Sequence, residues 1–439
     1  MTESNSVPEF NSLRPFAILW GGQATSLFGT RIVRFALVWW VTDLTGSATM
    51  LALATIMSLL PQVFVAPFAG SYVDRTSRRR VMIVADSLTA LSILGLSFLF
   101  ALGIVEIWHL FVVMFIGALF GAFHFPAMQA STTMMVPRKH LARVGGMNQA
   151  LNGASNIVAP PLGAVFYALW PMQSILMIDV STAIFAVFCI AIITIPQPIR
   201  ERAIEETSVL SDMKEGFVFL KGWRGGLLLV ILAMLLNFIA APAFNLSPIL
   251  VKNYFSGGAE ELAILESFGA IGMVIGAVLL SIWGGTKKKI VTALGALTLE
   301  GVVTTMIGLV PADSFYVAVI LFAGVSFLNP IVNGALIAIF QATIPPEKQG
   351  RVFALIISGA TAMMPIGLAI GGPVADVTGI SFWFIVSGIG TVLLSVIAFT
   401  VKPLMAIEEN ADYGSQKEKR TDIEQVFDDE IRTYETGNL

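Results

Sequence analysis

The chain has 439 residues, of which 56% are hydrophobic and only 13% charged, with a formal net charge of −3 and a mean hydropathy of +0.81. Soluble domains carry about a quarter charged residues, so the composition excludes a soluble enzyme and predicts an all-α integral membrane protein. The single cysteine, Cys189, excludes an intrachain disulfide.

Met1–Arg14 is polar and reads as a short N-terminal segment, with no cleavable signal evident. Apolar blocks of about twenty residues or more then mark membrane helices. Twelve are expected: 15–41, 49–69, 81–102, 108–133, 145–169, 173–196, 226–251, 260–283, 288–310, 314–340, 351–374 and 381–401. Each must satisfy its own backbone hydrogen bonds in lipid, which leaves helices as the spanning element.

Between spans 2 and 3 lies Gly70–Arg80, GSYVDRTSRRR, with the charges Asp74, Arg75, Arg78, Arg79 and Arg80. Such a cluster belongs in water while its neighbours lie in lipid, so it is a tight loop. With a cytoplasmic N-terminus, 23 of the 26 basic residues fall in cytoplasmic segments. Lys252 is on the outside, and Arg31 and Arg34 lie within span 1. The positive-inside rule then puts both termini in the cytoplasm of a multi-pass inner (plasma) membrane protein.

Leu210, Met213, Phe217 and Leu220 have helical spacing in the longest internal connection, so 197–225 is expected to be a cytoplasmic linker with an amphipathic helix. It joins a six-helix half, 15–196, to a second, 226–403. Local similarities suggest that the halves repeat. Pro126 and Pro330 interrupt spans 4 and 10, Pro137–Arg143 resembles Pro345–Arg351, and Ser77–Arg80 resembles Thr286–Lys289. Parallel repeats of this kind are a transporter architecture, with a site expected between them near the midplane. The tail, 404–439, holds ten acidic and four basic residues. Its Thr421/Glu424 capping box and the apolar face from Ile423 to Tyr434 read either as a short helix, a docking surface for a cytoplasmic partner, or as a solvated tail.

Gly70-x-x-x-Asp74-Arg75-x-x-Arg78-Arg79-Arg80 resembles the loop 2–3 signature of the major facilitator superfamily, with Ser77 in place of a glycine. Gly22-Gln-Ala24, Leu44-Thr-Gly-Ser47, Ala122-Phe-His-Phe-Pro126, Met177-Ile-Asp179 and Gly350-Arg-Val-Phe353 resemble its macrolide-efflux branch of drug:proton antiporters. Ile116–Ala118 stands where many drug antiporters carry a span 4 arginine, and the span 5 glycine–proline signature survives only in part. The resemblance implies that spans 1, 4, 7 and 10 line a cavity. It implies that 2, 5, 8 and 11 gate it, and that 3, 6, 9 and 12 stand outside. It also implies that Asp74 locks a cytoplasmic gate against the start of span 11, near Gly350-Arg351.

Polar residues inside the spans are then candidates for function, because a mid-membrane charge needs a partner or a watery cavity. Arg31 and Arg34 share a face of span 1, either as a cavity pair or as partners of Asp179 at similar depth. Asp86 lies near the cytoplasmic gate on span 3, and Glu300 lies on span 9, outside the expected cavity. Glu266, on gate span 8, is the preferred carboxylate for proton coupling. His124 on span 4 titrates near neutral pH, or else packs helices through a hydrogen bond. Gln23, Gln129, Asn237, Asn245, Asn329 and Asn333 add neutral polar groups to spans 1, 4, 7 and 10.

There is no G-x-x-x-x-G-K-[ST] loop. Three scattered histidines and one cysteine do not suggest a metal site, and topology accounts for the basic residues without nucleic acid. No cofactor is expected. The expected function is export of small amphiphilic drugs, macrolide-type or multidrug, coupled to proton influx by alternating access. Alternatives are a siderophore exporter or lysophospholipid flippase of the same fold, or a membrane subunit acting through a partner protein.

Overall fold

Apolar runs bounded by turn residues fold here as long helices, and little else is present. The computed structural model describes residues 13–196 and 209–408. The tail helix expected from Thr421 onward and the first part of the linker lie outside the described residues.

The first half comprises α1 (Arg14–Thr45), α2 (Ala48–Arg75), α3 (Arg78–Leu102), α4 (Ile107–Met135), α5 (Arg138–Leu169) and α6 (Met172–Ile192). A linker helix, α7 (Val209–Gly222), follows. The second half comprises α8 (Arg224–Asn245), prolonged by α9 (Ser247–Ile249) and a π-helical turn at Leu250–Tyr254, then α10 (Ala259–Trp283) and α11 (Lys289–Leu309). It continues with α12 (Phe315–Thr343), α13 (Pro346–Thr378), α14 (Ile380–Thr400) and the short α15 (Lys402–Met405).

Among the described residues, ten helices are long and apolar enough to cross a membrane. The two other long helices, α1 and α5, have 32 residues each. Arg31, Arg34 and Asp43 make α1 more polar, and Arg138, Lys139 and Arg143 do the same for α5.

Turn chemistry defines the ends. Gly46 closes α1 at φ 58°, its N–H bonded to Thr42 O, a left-handed position that glycine takes without a Cβ clash. One residue later Ser47 caps α2, its side chain accepting from Met50 N–H. Proline lies inside α4 (Pro126), α5 (Pro160, Pro161), α8 (Pro242), α12 (Pro330) and α13 (Pro365, Pro373). Each removes a backbone donor and favours a bend.

The packing repeats. In the first half α1 packs on α5 and α6, α4 on α2 and α3, and α3 on α6. In the second half α8 packs on α13 and α14, α12 on α10 and α11, and α11 on α14. The halves meet through two main pairs, α2 with α13 and α5 with α10.

These contacts are not uniform along the bundle. Two apolar clusters join the halves. One packs Ala48, Leu51 and Ile56 against Leu246, Leu368 and Phe384. The other packs Phe35 and Trp39 against Val251, Leu262 and Leu265. Both lie toward the end that carries the α1–α2 connection, called here the far end. At the opposite, basic end, which carries Arg78–Arg80 and Lys287–Lys289, each large cluster stays within one half. Among the described residues, the apolar clusters that join the halves thus lie toward the far end.

The linker helix packs against α13, with Leu220 in the second-half core and Lys348 Nζ 5.6 Å from the centre of the Phe219 ring. The expected apolar face included Phe217, which is instead 57% exposed. Phe219, outside the expected set, packs on that core because α13 approaches from its side.

Candidate functional site

At the far end, one carboxylate ties the halves together. Asp376, near the C-terminus of α13, accepts hydrogen bonds from the backbone N–H groups of Ala48 (2.6 Å) and Thr49 (3.0 Å) and from Ser47 Oγ (2.9 Å). The first N–H groups of a helix have no partner in the helix itself, and the local dipole favours an anion there. Beside it, Lys252 Nζ pairs with Asp43 Oδ1 at 3.2 Å and donates to Thr42 O at 3.1 Å. Asn253 donates to Gly46 O at 2.7 Å. Gly372 lies where an added Cβ would come within 2.8 Å of Ala52 Cβ, so only glycine allows α2 and α13 this approach.

The sequence reading passed over Asp376 and Asp43. A signal was available: an acid just past the end of span 11, and an N-cap serine, Ser47, at the start of span 2. Pairing them required knowing that α13 lies beside α2.

At the basic end the charged loop is tied within its own half. Arg78 is buried and donates to Ala130 O at 3.1 Å, and Arg79 donates to Ile190 O at 3.2 Å. Arg79 also reaches Ala191 O, so it caps the α6 C-terminus. Arg80 is exposed. Asp74 has a side chain 71% exposed, 3.8 Å from Arg78 and not seated on α13. Gly70 and Gly350 have open space around them. Arg75 and Arg351 lie on α2 and α13 at this end. The expected contact of Asp74 with span 11 is not made among the described residues, where its side chain is exposed and near Arg78.

Inside the first half the structure brings together residues that the sequence could only treat singly. His124 Nε2 lies 3.3 Å from Asp86 Oδ1, and Gln23 Nε2 donates to Asp86 Oδ2 at 2.9 Å. This cluster links α1, α3 and α4. Asp179, on α6, accepts from Thr30 Oγ1 at 2.5 Å. The expected ion pair of Asp179 with Arg31 or Arg34 is not formed. Arg31 turns instead to α5, where Asn152 Oδ1 accepts at 2.8 Å and Asn156 Oδ1 also accepts. Thr30 precedes Arg31, so the two side chains leave the helix on different sides and only Thr30 faces α6. Asn152 and Asn156 went unremarked in the sequence, although their i, i+4 spacing puts them on one face.

Arg34 is exposed. Next to Glu266, Ser267 Oγ of α10 donates to Ile157 O of α5 at 2.9 Å, a bond between the two halves.

A cavity of about 190 Å³ lies in the second half, between α8, α11, α12 and α14. Glu300, Asn237, Asn329 and Asn333 line it together with Ser387 and Thr391. The sequence puts Glu300 on a helix outside the expected cavity. It lines this one because α11 packs on α12 and presents its midpoint between α8 and α14. Gln129 is exposed, and Asn245 donates back to Ala241 O at 2.9 Å. Neither lines the cavity. Among the described residues no group of His, Cys, Asp or Glu could hold a metal ion.

Two repeated halves of long apolar helices, meeting mainly through α2 with α13 and α5 with α10, define a membrane transporter architecture. The chain belongs to the Major Facilitator Superfamily, whose family model matches residues 19–356. It is 32% identical over 393 residues to Macrolide efflux protein A of Streptococcus pyogenes, covering 90% of this chain and 97% of that protein. It is 25% identical over 407 residues to the Multidrug efflux pump Tap of Mycolicibacterium fortuitum, with coverage of 90% and 97%. A bacterial homologue of the iron transporter ferroportin, solved in an inward-facing state, superposes with a TM-score of 0.67 at 15% identity, over 88% of this chain and 99% of that one. At that identity the likeness concerns the fold.

Proposed function

We propose that this protein exports amphiphilic drugs of the macrolide or multidrug type from the cytoplasm, driven by proton entry through alternating access. The similarity to two drug-efflux proteins along nine-tenths of the chain supports the substrate class. The observation that supports the mechanism is the asymmetry of the contacts: Asp376 and two apolar clusters join the halves toward the far end, while the large clusters of the basic end each lie within one half. With the basic end in the cytoplasm, this is the state that loads substrate from inside. Asp74 then seats on the α13 N-terminus in the opposite state, where a carboxylate is favoured.

Coupling needs a titratable group whose surroundings change when the halves move. The Asp86–His124–Gln23 cluster lies within one half and travels as a unit. Glu266 lies beside Ser267, which bonds across to α5 of the other half, so rocking changes the surroundings of its carboxyl.

The test is a drug-susceptibility panel in an efflux-deficient host, with wild type beside Glu266→Gln. Wild type should raise resistance to at least one amphiphilic drug, the variant should not, and collapsing the proton gradient should abolish the difference. Unchanged susceptibility to every compound removes the drug assignment, and resistance that survives gradient collapse removes the proton coupling.

A further inference from the structure

The second-half cavity has a chemistry of its own. Its one charged lining group is the Glu300 carboxylate, and no lysine or arginine lines it. Counting from Lys289 at ~1.5 Å per residue, Glu300 lies roughly 16 Å along α11, near the middle of the helix. Asn329 lines the same cavity from α12.

The remaining polar atoms are mostly unsatisfied acceptors. Asn333 spends its amide N–H on Asn329, to the backbone O and to Oδ1, each at 3.0 Å, which leaves its own Oδ1 free. Asn237 spends its amide on Ala233 O at 2.9 Å, again leaving Oδ1. Ser387, 1% exposed, lines the cavity with an Oγ that has no partner. Leucines from α8, α11 and α12 complete the wall. A ligand that satisfies this wall brings a positive charge, N–H donors and a small apolar body. The cavity's volume suits a small headgroup.

We infer that the second-half cavity binds the protonated amine group of an amphiphile, with Glu300 as counter-ion and Asn237, Asn333 and Ser387 as positioning groups. The inference rests on the export reading only for the source of the amine. A binding assay on the resting protein needs no transport, so failure of one reading is distinguishable from failure of the other.

The probe is radiolabelled N,N-dimethylbenzylamine, cationic near neutral pH, beside the uncharged N,N-dimethylbenzamide of similar size. Equilibrium binding is measured on the full chain in lipid nanodiscs. Wild type should bind the amine saturably and at least about tenfold more tightly than the amide, the worth of a charged hydrogen bond in a desolvated site. Glu300→Gln should lose that preference while the amide binds as before. Ala240→Leu, which adds bulk to the wall and leaves the carboxylate, should weaken both probes. Equal binding of the two probes by wild type overturns the inference, as does amine binding by Glu300→Gln at wild-type affinity. Should Glu300→Gln not assemble, amine binding by Ala240→Leu at wild-type affinity overturns it equally.

Discussion

Ser47 Oγ donates to Asp376 at 2.9 Å, joining residues 329 positions apart in the sequence and on opposite halves of the molecule. With Ala48 and Thr49 N–H on the same carboxylate, α13 caps α2 from outside. The far end is closed by helix-end chemistry as well as by apolar packing.

Replacing Asp376 by alanine removes all three bonds. Loss of a helix cap costs about 0.5–2 kcal/mol, and one to two kcal/mol is roughly a 5- to 30-fold change in a two-state population. The far end should therefore open more often. Leu44 and Val377 are exposed on the two halves at this end. Spin labels at both, in a Cys189→Ala background, should report a distance distribution shifted toward longer separations. An unchanged distribution would show that the apolar clusters and the Lys252 and Asn253 contacts close this end without Asp376.

Glu266→Gln cannot gain or lose a proton and keeps the size of the side chain. In reconstituted vesicles it should exchange drug down a concentration gradient at near wild-type rate. It should fail to accumulate drug against one when a pH gradient is imposed. Full gradient-driven accumulation would move the coupling role to another group.

Asp74→Asn removes a charge that is exposed here and touches only its own half. Stability and membrane level should hold, because nothing in this conformation depends on the contact. Export should be lost, since the opposite state is deprived of the anion at the α13 N-terminus. Wild-type export by this variant would reduce the loop to a signal for membrane orientation.

Asp86→Asn makes the contrasting case. The substitution weakens the bond from Gln23 and removes the negative charge 3.3 Å from His124 Nε2, both within the first half. Interhelical polar contacts in membranes contribute about 0.6–1.7 kcal/mol. The thermal midpoint should fall by a few degrees, while export falls less than about tenfold. Complete loss of export at unchanged stability would place the proton pathway in this cluster.

Local composition was enough to read the helical, membrane-embedded class of the chain and its two-half organisation. Apolar runs, loop cations and the Gly70–Arg80 signature are encoded in consecutive residues, so their meaning does not depend on the neighbours that folding supplies. The particular polar residues of the spans were also visible, because a charge in an apolar block is conspicuous. Their partners were not. Arg31 turned to Asn152 and Asn156, Asp179 to Thr30, and His124 to Asp86, because helix rotation and neighbour choice decide which faces meet. Glu300 became a cavity residue only when α11 was seated between α8, α12 and α14. The closure by Asp376 and the openness around Asp74 belong to tertiary structure alone, since both depend on how two rigid halves lean against each other.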